Sequence, residues 1–213
     1  MKKEDFEEII LNLVDLTTGY SESNNWIGFF ERNKPYKYIY TEKAISKFLS
    51  YFENTLDDFW VAVSYYINTD SPNNEYEIED EVINAEKFLV ENNYISQISY
   101  MYLCKNGEIC NDELLKLDST FKIFKPKNKI VYKYLSIIGM CDSHVGLSNG
   151  HCFFISLKND LIIYPHGDNT GYGCIGINDK KNNVGLSFLK DVSKEKDFDS
   201  WIYSEQYKKM VML

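Results

Sequence analysis

Residues 152–178, CFFISLKNDLIIYPHGDNTGYGCIGIN, constrain the fold more than any other stretch of this chain. Three runs rich in β-branched and aromatic residues, 152–158, 161–166 and 172–178, are separated by turn-forming residues. The pair Asn159-Asp160 suits a tight hairpin, because both residue types tolerate the left-handed backbone conformation. The stretch therefore predicts a three-stranded antiparallel meander that forms the spine of a sheet.

The rest of the chain alternates between helical and strand patterns. An apolar face at helical spacing predicts helices over residues 4–18, 42–54 and 75–92, with a further helix over 197–210. Strand composition marks residues 26–31, 36–40, 59–67, 95–103 and 184–188. Residues 112–117 favour a short helix, residues 130–138 fit either a helix or a strand, and residues 141–150 have loop composition.

These elements predict an α+β fold. We expect a single domain, residues 1–213, with a mainly antiparallel sheet that includes the C-terminal meander, and about four helices packed on it. Its 17 tyrosines and 13 phenylalanines supply large side chains for a core or an interface.

The formal net charge of −9 is concentrated in one part of the chain. Between Glu53 and Glu91, eleven side chains are acidic and one, Lys87, is basic. Such a field repels nucleic acid and anionic membranes and attracts basic partners. A solvated helix face in an acidic protein would have the same composition. Acidic residues in a first helical turn also complement the helix dipole.

Composition also bears on the cellular location of the protein, the state of its cysteines and its cofactors. No apolar run approaches the length needed to span a bilayer, and the first residues lack an apolar signal core, so we expect a cytoplasmic protein. The five cysteines form no CxxC pair and are expected to be free thiols. The sequence predicts no metal site and no cofactor.

The strongest cluster of reactive residue types surrounds His166 and Asp168, in a loop bounded by Gly167 and Gly171. We expect His166 to stack on Tyr164 or Tyr172. A Cys/His nucleophile pair using Cys152 or Cys141 is a weaker alternative, because burial in a strand would raise the thiol pKa. There is no phosphate-binding loop, GxSxG motif or dinucleotide fingerprint, so no catalytic residue is predicted and an enzyme is the less favoured reading.

Two passages resemble an uncharacterised bacterial family of low-GC species: AISKFLSYFENTLDDFWVAVSYY (44–66) and LIIYPHGDNTGYGCIGI (161–177), the latter followed by an ending similar to residues 197–202. Where that family usually has two adjacent acidic residues, this chain has Gly167-Asp168. A small, acidic α+β chain without a catalytic motif is also similar to the immunity proteins that neutralise bacterial contact-dependent and polymorphic toxins. That resemblance implies a toxin-binding surface, often acidic because nuclease toxins are basic.

The leading hypothesis is therefore a cytoplasmic protein-binding protein, an immunity protein that occludes a basic toxin domain and binds neither nucleic acid nor membrane. The predicted partner-binding carboxylates are those of Asp57, Asp58, Glu75, Glu77, Glu79, Asp80 and Glu81. The alternative is a small enzyme or ligand-binding protein that uses the loop of His166 and Asp168.

Overall fold

The computed structural model describes residues 3–14, 16, 23–69, 79–99, 104–105, 108–145, 148–166, 170–207 and 209–213. This part of the chain contains six α-helices, where about four were expected. They are α1 (Lys3–Leu13), α2 (Tyr38–Tyr51), α3 (Asp80–Glu91), α4 (Asn111–Asp118), α5 (Lys129–Val145) and α6 (Asn183–Val192). Among the described residues, none of these helices is long and apolar enough to cross a lipid bilayer.

The described strands form one large sheet and two small ones. In chain order they are β1 (Trp26–Arg32), β2 (Phe59–Val63), β3 (Tyr66–Asn68), β4 (Ser96–Ile98), β5 (Cys104–Lys105), β6 (Glu108–Ile109), β7 (Lys122–Phe124), β8 (Ser148–Asn149), β9 (Cys152–Ser156), β10 (Leu161–His166), β11 (Gly171–Gly176), β12 (Phe198–Ser204) and β13 (Lys209–Met212). The eight-stranded sheet has the order β13-β12-β1-β11-β10-β9-β2-β7, and every neighbouring pair in it is antiparallel. The fold is therefore α+β, as predicted.

The predicted meander is confirmed as β9, β10 and β11, at the centre of the large sheet. Ser156 pairs with Leu161, so the first turn contains four residues and not the expected two. Asp160 has the left-handed backbone conformation, with φ of 54°. Gly173 allows a close approach, because a Cβ atom there would lie 2.0 Å from the Tyr164 ring.

The large sheet buries both of its faces in the centre. Ile163, Tyr172 and Phe154 belong to the first hydrophobic cluster, together with residues of α2, α5 and α6. Ile162 and Ile175 alternate to the opposite face, because successive strand residues point to opposite sides. There the second cluster forms under α1, whose Phe6 ring lies 4.9 Å from that of Trp60.

Two predicted elements in the first half are wrong. Residues 36–40 are not a strand, because α2 already begins at Tyr38. Thr41 is fully buried inside that helix, since Tyr38, Thr41 and Ile45 share its core-facing side. Residues 59–67 are not one strand either. The Ser64 amide donates to the His151 carbonyl oxygen, and the chain then enters a second sheet as β3, which pairs parallel with β4.

The second half contains three further corrections. Residues 184–188 lie in α6 and not in a strand, because the Asn182 side chain accepts from the Gly185 amide at 2.8 Å and starts a helix. The expected helix over 197–210 is the hairpin of β12 and β13, at the edge of the large sheet. Residues 130–138 are helical, and α5 continues to Val145 through what had been read as a loop.

Candidate partner-binding surface

The predicted carboxylates on α3 lie at its N-terminal end. Glu79 is the residue preceding the helix, and Asp80 and Glu81 occupy its first turn. All three side chains are exposed. No ion pair joins them to a lysine or arginine in the part of the chain that the structure describes. This end of α3 is therefore a site of uncompensated negative charge.

Asp57 and Asp58 lie in a short 3₁₀ turn before β2, held by a different contact. The Tyr132 hydroxyl on α5 donates towards the carbonyl oxygens of Leu56 and Phe59, at 3.2 and 2.8 Å. Burial raises the pKa of Tyr132, and the charge of Asp57 adds to that rise. Asp58 is already paired, because its Oδ2 lies 3.0 Å from Nζ of Lys158.

The two acidic groups face opposite ends of α5. Asp57 acts on Tyr132 near the start of α5, whereas Glu79 acts on Tyr36, whose hydroxyl lies 3.6 Å from the Cys141 sulfur near its end. Nine helical steps lead from Tyr132 to Cys141, a rise of about 14 Å along α5. Glu75 and Glu77 lie outside the described residues.

A partly buried polar cluster lies near the end of α5. Tyr36, Thr41 and Cys141 meet there, with the Tyr36 hydroxyl and the Thr41 Oγ1 at 3.6 and 4.0 Å from the Cys141 sulfur. Burial is the main cause that raises the pKa of Tyr36, followed by Cys141, with Glu79 adding a smaller contribution. The pKa of Tyr38 is also raised, mainly by burial and then by Cys141, Glu42 and Glu81 in decreasing order. The carboxylates therefore lie close enough to this cluster to act on it.

An exposed apolar side chain accompanies the α3 carboxylates. Ile83, one turn further along α3, is 49% exposed. We call Glu79, Asp80, Glu81 and Ile83 the α3 surface. Charge around apolar anchors is the composition of a protein interface.

The aromatic residues in the first half of the chain divide between core and surface. Phe30, Tyr38, Tyr65 and Tyr66 are buried and fill the interior. Trp26 and Phe29 are partly exposed on the second face of the sheet. None of these six side chains belongs to the α3 surface.

The alternative site is described in part. His166 ends β10 and is partly buried, and its ring stacks on Phe29 with centroids 5.3 Å apart. The expected stacking on Tyr172 is wrong, because Tyr172 points to the other face of the sheet. Asp168 lies outside the described residues, so a ligand site that uses the loop of His166 and Asp168 stays a prediction. Within the described residues, no three metal-ligand side chains form a group that could hold a metal ion.

The cysteine alternative finds no support in the surroundings of the thiols. None of the five cysteines forms a disulfide bond, and Cys141 and Cys152 are buried. Burial raises the pKa of the Cys152 thiol well above its ordinary value, which disfavours the thiolate that a nucleophile needs. Burial raises the pKa of the Cys174 thiol on β11 for the same reason.

A cleft of about 750 Å³ was missed by sequence reasoning, because its walls come from distant parts of the chain. It lies between the end of α1, residues 23–25 and the end of α4. Asp118 reaches it, and burial raises the pKa of this carboxyl while a hydrogen bond from Tyr66 lowers it. Residues 17–22, which lead into one wall, are outside the described part of the chain.

Family models, curated proteins and solved structures were each compared with this chain, and none of them matches it.

Proposed function

We propose that this chain is a protein-binding protein and that the α3 surface contacts a basic partner. The observation that carries the proposal is the group of three exposed carboxylates, Glu79, Asp80 and Glu81, without a described lysine or arginine partner. Isolated carboxylates of this kind steer a cationic partner towards the surface and speed association. Ile83, on the same helix, would then supply an apolar contact that slows dissociation.

Within this class, an immunity protein that neutralises a basic toxin in the cytoplasm is the function that the properties of the chain support best. The net charge of −9 opposes binding to nucleic acid, so a protein carrying many lysines and arginines is the favoured partner. Occlusion requires no catalytic group on the inhibitor. The proposed mechanism is that the α3 surface covers the toxin's basic substrate-binding region.

Growth rescue tests the proposed function directly. The chain is co-expressed with the toxin domain encoded beside its gene, and we expect growth to recover and a complex to co-purify at low salt. High salt should weaken that complex, because the pairing is electrostatic. A gene neighbourhood without a toxin, or a toxin that kills at full strength in the presence of the folded chain, would rule the proposal out.

A matched pair of alanine variants tests the position of the interface. Ile83→Ala should weaken the complex by roughly tenfold, because it removes an apolar anchor from the α3 surface. Leu115→Ala removes a side chain that is equally exposed, at 48%, but lies on α4. We expect the second variant to bind like the wild type. Equal affinities for both variants would place the contact elsewhere.

A further inference from the structure

The two edges of the large sheet differ in how they are protected. At one edge, β7 is followed by Lys125, Pro126 and Lys127, and the side chain of its own Lys122 donates to the Asn93 carbonyl oxygen at 3.2 Å. The Tyr94 ring also packs on Phe124 of this strand, with centroids 4.8 Å apart. Lysines, proline and covering segments are the usual means by which proteins prevent an edge strand from pairing with another chain.

At the other edge, β13 has the sequence Lys-Met-Val-Met, with no proline and one lysine. Its ladder with β12 is regular over four residue pairs and contains no bulge. Met212 is 57% exposed, and Met210 is partly exposed beside Tyr203. Among the described strands, β13 has a neighbour on one side only.

The hydrogen-bond pattern shows which backbone groups of β13 face outwards. The Leu213 amide donates to the Ser200 carbonyl oxygen at 2.9 Å, so residue 213 directs its backbone groups towards β12. Residues alternate in an antiparallel ladder, so Val211 and Lys209 do the same. The N–H and C=O groups of Met210 and Met212 therefore point away from the sheet, towards the open edge.

We propose that β13 pairs antiparallel with β13 of a second copy of this chain, about a two-fold axis at Val211. This register places Met210 opposite Met212 of the other copy, so all four outward groups of each strand are used in four hydrogen bonds. Lys209 then faces Leu213 of the other copy, so no like charges oppose each other. A register centred on Lys209 would instead place two lysines opposite each other, which is unfavourable.

The same register also joins apolar side chains. Met210 and Met212 lie opposite Tyr203 and Trp201 of β12, and share their side of the sheet with Phe29. Pairing two copies makes a continuous row of four methionines between two aromatic strips. The proposed dimer does not rest on the proposed function, because it is argued from the backbone of β13 and uses no residue of the α3 surface.

Sedimentation velocity of the full chain over a range of protein concentrations tests the dimer. We expect the wild type to reach twice the monomer mass. Met210→Pro should remain monomeric, because it removes an outward donor but leaves the ladder with β12 intact. Circular dichroism would show that this variant is folded. A wild type that stays monomeric up to millimolar concentration, or a dimer that Met210→Pro leaves unchanged, would overturn the proposal.

A charge pair at Leu213 tests the register. Leu213→Glu places a carboxylate opposite Lys209 of the other copy and should tighten the dimer by roughly three- to tenfold, whereas Leu213→Lys should weaken it by a similar factor. Both variants alter the same side chain, so changes in the same direction would contradict the register. A wild-type monomer whose β13 amides become protected only when a different protein is added would identify another occupant and overturn the homodimer.

Discussion

The two groups of acidic residues near the ends of α5 differ in what their carboxylates contact. At its start, Asp58 is paired with Lys158, and the turn that holds Asp57 is bound by the Tyr132 hydroxyl. At its end, Glu79, Asp80 and Glu81 are exposed and have no described cationic partner. A run of acidic residues in the sequence therefore does not by itself define a charged surface. The fold decides which carboxylates stabilise the chain and which remain available to a partner.

The largest expected difference between these ends is their response to acid. His151, which follows β8 on the side of the molecule where α5 ends, is half-buried, and burial lowers the pKa of its imidazole to about 4. The unfolded chain takes up this proton first, near the ordinary pKa of about 6.5, so folding stability should fall as the pH drops from about 6.5 towards 4. Between these two pH values, we expect the free energy of unfolding of His151→Gln to fall by roughly 2 kcal/mol less than that of the wild type.

Urea denaturation of both proteins at several pH values measures this effect. The carboxylates titrate equally in the two proteins, so the difference between them isolates the histidine. Hydrogen exchange should also show that β8 and the end of α5 open before the turn at Asp57 as the pH falls. Parallel pH profiles for the two proteins would contradict a role for His151.

A second comparison uses two tyrosines, one at each end. Tyr132→Phe should lower the free energy of unfolding by about 1–3 kcal/mol, because it removes the donor that satisfies the carbonyl groups of Leu56 and Phe59. Tyr38→Phe is its matched control. The Tyr38 hydroxyl oxygen is buried without a hydrogen-bond partner among the described residues, so removing it should be neutral or slightly stabilising.

Thermal or urea unfolding of the two phenylalanine variants distinguishes them at neutral pH. The account requires Tyr132→Phe to be the less stable variant. Equal stabilities would mean that the turn carrying Asp57 does not depend on Tyr132.

The smallest expected effect is that of Lys158→Ala. It removes an ion pair in which the lysine is largely exposed, so the free energy of unfolding should change by less than about 0.5 kcal/mol. The variant frees Asp58 and makes the start of α5 resemble its end. A basic partner that then binds more tightly in low salt would show that the ion pair with Lys158 limits binding at Asp58. An unchanged affinity would show that the location of the carboxylates on the molecule matters more than whether they are paired.

Much of the fold could be predicted from the sequence where local chemistry and tertiary structure agree. The meander was predicted because its strands are short and apolar and its turn contains Asp160, which adopts the left-handed conformation. The edge hairpin of β12 and β13 was missed because the sequence of β12, FDSWIYS, has no period of two: Trp201, Ile202 and Tyr203 are consecutive apolar residues.

The division of residues 59–67 and of the acidic run could not be predicted, because both depend on distant partners. Ser64 leaves the large sheet through hydrogen bonds with His151, which is 87 residues away. The two acidic groups lie near different ends of α5, part of which (residues 130–138) the sequence left open between helix and strand. The sequence therefore shows which residues form the acidic run, but it does not show where the fold places them.

Affinity for the toxin domain encoded beside the gene, measured by calorimetry on two matched triple variants, tests the central claim most directly. One variant is Glu79→Lys, Asp80→Lys and Glu81→Lys, and the other is Glu53→Lys, Asp57→Lys and Asp58→Lys, so the net charge changes equally. The account predicts that the first variant binds roughly a hundredfold more weakly and the second within about threefold of the wild type. Equal losses in both, or full affinity in the first, would contradict it.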